Sequence, residues 1–132
     1  MKIFIDFETR SAVDIKTAGA WKYAMDPSTE VLCMAWNGTD GRIKLGDAAH
    51  LKEDVRGFPP DTQIVAHNAH FEYAIYHCIL HKKYGWPALW DPKHWACTMS
   101  KAAAANLPLS LDACGNALGI TKKKDTEGRS VM

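Results

Sequence analysis

Long apolar runs are missing from this 132-residue chain, and so is any marked excess of charge. Spanning a bilayer takes about 20 consecutive apolar residues, so no membrane partner is expected. Sixteen basic residues against fifteen acidic ones leave a formal net charge of +1. That is too little to coat duplex nucleic acid through its phosphates, but it does not exclude an enzyme that grips one strand end through metal ions. There is no C-x-x-C pair. The four cysteines, Cys33, Cys78, Cys97 and Cys114, are scattered and read as reduced thiols of a cytoplasmic protein. The opening Met1-Lys2-Ile3-Phe4-Ile5-Asp6 places a carboxylate where a secretion signal would continue its apolar stretch. Repeats and low-complexity linkers are also lacking. An apolar content of 47% and this length suit one core-forming domain over residues 1–120, followed by a polar tail over 121–132.

What is present alternates between strand and helix signals. Lys2–Phe7, Glu30–Trp36 and Arg42–Leu45 read as strands, the last two joined through turn residues Asn37-Gly38-Thr39-Asp40-Gly41. Thr9–Ala20 reads as loop or a short helical turn, and Asp47–Arg56 as a weak helix ended by Gly57. Gln63–Ala66 and Trp95–Cys97 read as further strands. His70–Tyr84 carries Phe71, Ala74, Ile75, Cys78 and Ile79 at helical spacing and reads as the longest helix. Thr98–Ala105 and Ser110–Leu118 read as two short helices parted by Pro108 and stopped at Gly119. An antiparallel meander followed by alternating strands and helices predicts an α/β fold with a mixed sheet.

Asp6 and Glu8 stand two apart on the first strand, so both side chains leave the same face. Adjacent carboxylates repel and raise each other's proton affinity. Hard cations such as Mg²⁺ or Mn²⁺ satisfy such a pair with oxygen ligands. By itself D-x-E is a common accident, with Asp6 ending a strand and Glu8 capping a turn. Asn68 and Glu72 lie four apart where a buried strand runs into a helix. Asn68 suits the helix cap, and Glu72 in the first turns can face the strand of Asp6 and Glu8. The plainer reading makes Glu72 a surface residue that favours the helix dipole.

The two elements together resemble the DEDD superfamily of 3′–5′ exonucleases, proofreading nucleases with a ribonuclease H-like fold. Asp6-Phe7-Glu8-Thr9 matches its first motif, and His67-Asn68-Ala69-His70-Phe71-Glu72 its second. Further segments are similar to the exonuclease domain of bacteriophage family A DNA polymerases. These are Asp6–Ser11, Gly19-Ala20-Trp21-Lys22-Tyr23, Trp95-Ala96-Cys97-Thr98-Met99, Leu109-Ser110-Leu111 and Lys124-Asp125-Thr126-Glu127-Gly128. There are two departures. Glu72 stands where most of the superfamily has Asp. The third motif, Tyr-x-x-x-Asp or His-x-x-x-x-Asp, is absent, since no Tyr follows Tyr84, no His follows His94, and Asp112 and Asp125 lack that partner. The chain resembles the front part of such a domain, its ribonuclease H-like sheet cut short at the C-terminus.

The resemblance implies a two-metal site for Mg²⁺ or Mn²⁺, with Asp6, Glu8 and Glu72 as both ligands and catalytic residues. It implies the 3′ end of single-stranded nucleic acid, DNA before RNA, as substrate, with Thr9, Asn68 and Phe71 near it. Phe71 has a competing role in core packing. Without the third motif the isolated chain is expected to bind metal weakly and to hydrolyse slowly or not at all. A polymerase or another chain that supplies the missing motif is the implied protein partner, in host cytoplasm if the source is a phage. A non-catalytic nucleic-acid-binding or protein-interaction module that keeps the fold is the alternative. His77 and His81 lie one helical turn apart beside Cys78, but no second ligand pair completes a zinc site. The six rings Trp21, Tyr23, Trp36, Trp86, Trp90 and Trp95 are scattered along the chain and read as core and edge packing. Lys122-Lys123-Lys124 reads as part of a solvated tail.

Overall fold

The computed structural model describes residues 1–37 and 40–122. Gly38 and Thr39 of the expected hairpin turn, and the Lys124–Gly128 segment, lie outside them. The chain forms two compact units, Met1–Cys97 and Thr98–Met132.

The first unit is built on a five-stranded sheet. Its strands are β1 (Lys2–Arg10), β2 (Glu30–Asn37), β3 (Ile43–Gly46), β4 (Gln63–Ala66) and β5 (Trp95–Cys97), in the order β3-β2-β1-β4-β5. β1 pairs antiparallel with β2, and β2 with β3; β4 lies parallel to β1, and β5 parallel to β4. This is the expected mixed α/β sheet, and it is compatible with a ribonuclease H-like arrangement. Alternation on β1 turns Ile3, Ile5 and Phe7 into the core and leaves Phe4, Asp6 and Glu8 exposed. Glu8 pairs with Cys33 but Thr9 with Val31, so Leu32 is an extra residue in β2. That bulge reverses the alternation and brings Val31 rather than Leu32 against the core, beside Met34 and Trp36. Beyond the bulge, Arg10 on β1 grips its cross-strand partner Glu30 through two guanidinium nitrogens at 2.9 and 2.7 Å.

Thr9–Ala20, expected as loop or a short helical turn, is helical from Ile15 onward, and the helix runs past the segment to Met25. α1 (Ile15–Met25) is capped by the Asp14 carboxylate, which accepts from the Lys16 N–H at 2.9 Å. Gly19 interrupts it at φ 79°, ψ 165°, a region open essentially to glycine alone. A break there, with Thr17 before it, hides the helical period from the sequence. Packing of Tyr23 and Ala24 into the core stabilises the helix instead. The expected Asp47–Arg56 helix shortens to α2 (Lys52–Arg56), because the Asp47 carboxylate accepts from the Ala49 and His50 N–H groups and holds a turn.

The long helical run has three parts. α3 (Ala69–Ile75) passes into a π-helical segment, Tyr76–His81, and ends as α4 (Lys82–Tyr84). Buried Ile75, Tyr76, Ile79 and Leu80 seat it on the sheet. Gly85, at φ 68°, closes it in the left-handed conformation.

The second unit contains α5 (Thr98–Ala104) and α6 (Leu111–Ala117). Ser110 caps α6 by accepting from the Ala113 N–H at 3.2 Å, and Gly119 at φ 69° follows its end. Among the described residues no helix is long and apolar enough to cross a membrane.

Candidate active site

β1 and β4 are parallel neighbours, so the carboxyl end of β1 and the chain leaving β4 emerge at the same end of the sheet. Asp6 and Glu8 are carried by the first, and Asn68 and Glu72 by the second. Asn68 occupies the position before α3 in the left-handed conformation, at φ 67°, ψ 50°, and its side chain makes no capping bond. The expected side-chain cap is therefore not formed: that backbone geometry turns the chain sharply into α3 and leaves the exposed Asn68 amide to other partners.

Glu72 does not lie on the surface. It is 5% exposed, and its Oε2 is buried with no hydrogen-bond partner. Burial pushes its carboxyl from the ordinary 4.5 up to about 7. A bond from its own backbone N–H pulls the other way, and the neighbouring charges of Asp6 and Cys97 add to the rise. The fold therefore brings Asp6 and Glu72 into each other's field, 66 residues apart in the chain. Glu8 sits one step further along the exposed face of β1. Among the described residues no three His, Cys, Asp or Glu side chains stand together as a ready cation cage.

The other two predicted contacts, Thr9 and Phe71, are both engaged by Tyr23. The Thr9 hydroxyl pairs with the Tyr23 hydroxyl at 2.9 Å. Phe71 packs against the core with its ring 6.0 Å from that of Tyr23. Cys97 is a neighbour that sequence reasoning did not single out as part of the site. Its Sγ accepts from the Ala69 N–H at 3.4 Å, tying β5 to the first turn of α3. The Trp95–Met99 segment was the only signal of it. His77 and His81 are held by backbone instead of by each other. Their Nδ1–H groups donate to the carbonyls of Tyr73 at 2.8 Å and Trp86 at 2.6 Å. Burial lowers the pKa of His77, which keeps it neutral.

No protein-family model matches the sequence. The chain is 32% identical over 133 residues to the DNA polymerase of Bacillus phage SP02, across 97% of this chain and 20% of that protein. It thus spans about a fifth of the length of the relative it matches. The family B DNA polymerase of the hyperthermophilic archaeon Pyrobaculum calidifontis aligns with a TM-score of 0.38 at 18% identity, over 86% of this chain and 12% of that one, a likeness too slight to build on. The sequence relation stands by itself: the chain is homologous to a segment of a phage DNA polymerase.

Proposed function

We propose that this chain carries the acidic site of a 3′–5′ exonuclease that removes nucleotides from single-stranded DNA ends, the proofreading activity of a polymerase. The observation that carries this reading is the buried Glu72 carboxylate, with Oε2 unpartnered, in the field of Asp6. A buried charge without a partner is costly, and a hard divalent cation is the partner that both carboxylates fit. The donor set is all oxygen, which suits Mg²⁺ or Mn²⁺. When bound, such ions neutralise the phosphate and make water a stronger nucleophile.

In this reading Asp6 and Glu8 on the exposed strand face, with Glu72 from the helix side, would be the carboxylates that hold the ions; Asp6 would be shared between them, and Glu8 would also meet the terminal 3′ hydroxyl. Hydrolysis adds water across the terminal P–O3′ bond, leaving a nucleoside 5′-monophosphate and a shortened strand with a new 3′ hydroxyl. The third motif is absent from these 132 residues, so the three carboxylates would hold the ions without its aspartate, and the isolated chain should bind them weakly and hydrolyse slowly or not at all.

Titration with Mn²⁺, followed by paramagnetic broadening of backbone resonances, tests this. Broadening should centre on Asp6, Glu8 and Glu72 and disappear in Asp6→Ala. Strand binding that ignores Mn²⁺ in both proteins would refute the exonuclease reading in favour of a non-catalytic binding module. Fast digestion of a labelled strand by the purified chain, lost in Asp6→Ala, would refute only the expected weakness.

A further inference from the structure

Rings that are scattered along the sequence gather on one side of α3. Tyr73 meets Trp21 edge-on at 5.8 Å, Trp95 at 5.2 Å and Trp90 at 6.0 Å. Trp21 also meets His70 edge-on at 6.3 Å. Between α3 and β5 this cluster leaves a hollow of about 250 Å³, walled by His70, Tyr73, Pro92 and Trp95 and floored by Cys97. Two polar ring groups are engaged by backbone. The Tyr73 hydroxyl donates to the Trp90 carbonyl at 3.0 Å, and Trp95 Nε1–H donates to the Leu89 carbonyl at 2.8 Å. The lining of the hollow is largely apolar: Tyr73 and Trp95 contribute rings, Ala69 and Ala96 small side chains, and the exposed His70 an imidazole.

We infer that this hollow is a subsite for one unpaired nucleobase of the strand whose end reaches the Asp6–Glu72 pair. The inference rests on the exonuclease reading. Ligand pockets for whole small molecules span about 300–1,000 Å³, so a hollow just below that range suits a single planar ring more than a nucleotide with its sugar. Aromatic walls accept any base, because every base presents a π face. With the Tyr73 and Trp95 donors committed to carbonyls, the walls add little hydrogen-bond readout, and the subsite is tolerant of sequence. Location supports the same role. His70 and Tyr73 flank Glu72 on one turn of α3, and the hollow's floor is the β5 residue bonded to the start of that helix. A base held there tethers the strand a short distance from the acids.

The test compares two labelled single strands, one intact and one with abasic sites near its 3′ end, binding to the wild-type chain and to His70→Ala. Fluorescence anisotropy in EDTA avoids hydrolysis, and the Trp95 indole N–H resonance gives a local readout. The intact strand should bind the wild type roughly 5- to 100-fold more tightly than either the abasic strand binds it or the intact strand binds His70→Ala. It should also shift the Trp95 resonance. Equal affinities across all four combinations, with Mn²⁺ still localised by Asp6, would overturn the subsite and leave the exonuclease reading intact. No strand binding together with no Mn²⁺ at Asp6 would overturn both.

Discussion

Glu72→Gln should change the pH dependence of stability in a direction that is the opposite of most carboxylate mutations. The folded carboxyl holds its proton up to about 7, whereas the unfolded one releases it near 4.5. Between those values the folded state binds more protons than the unfolded state. Stability is thus full below pH 4.5 and declines as pH rises through 7. At about 1.4 kcal/mol per pH unit, the total decline is roughly 3 kcal/mol. Gln keeps the shape and never ionises, so the variant escapes it. Its amide needs partners that the pocket lacks, at a pH-independent cost of about 1–2 kcal/mol. The variant should therefore be slightly less stable than wild type near pH 5 and more stable by roughly 1–2 kcal/mol near pH 8. Urea unfolding followed by tryptophan fluorescence in EDTA measures both points. If the stability difference between variant and wild type is the same at the two pH values, Glu72 is not a desolvated carboxyl. Mn²⁺ should erase the variant's advantage at pH 8, because the ion supplies wild type with the missing partner.

Two further substitutions examine the frame around the site. Gly19→Ala forces a side chain into backbone space that only glycine occupies freely, and should cost about 1–3 kcal/mol in thermal unfolding. No loss would mean that α1 does not break at that residue. Tyr23→Phe removes the bond to the Thr9 hydroxyl and should cost about 0.5–1.5 kcal/mol, a few degrees in melting temperature. Thr9→Val should cost a similar amount, and the double variant should cost less than the sum; strict additivity would show that the two hydroxyls do not interact.

Local patterning was enough to read most of the sheet. Gln63–Ala66 and Trp95–Cys97 are strands with the expected bounds, because short β-rich runs beside helical signals have few alternatives. The parallel and antiparallel pairing followed from element order, since a meander and an alternation of strand and helix pack in few ways. The reading failed where the cause was not local. α1 breaks at Gly19 and owes its stability to the core, so its sequence lacks a clear helical period. The bulge at Leu32 is a register event between two strands, which no single strand encodes visibly. Asn68 kept its place before α3 but took the left-handed backbone instead of a side-chain cap.

The site divides in the same way. Residue types and spacing in the sequence determined which carboxylates were candidates, since alternation on β1 places Asp6 and Glu8 on one face whatever surrounds them. Only the tertiary structure decided that Glu72 is buried, short of a partner and within the field of Asp6, and that Trp21, Tyr73, Trp90 and Trp95 share one cluster. Spacing is a property of the covalent chain. Desolvation and ring contact depend on which distant segments exclude water together, and that is settled only when the chain has folded.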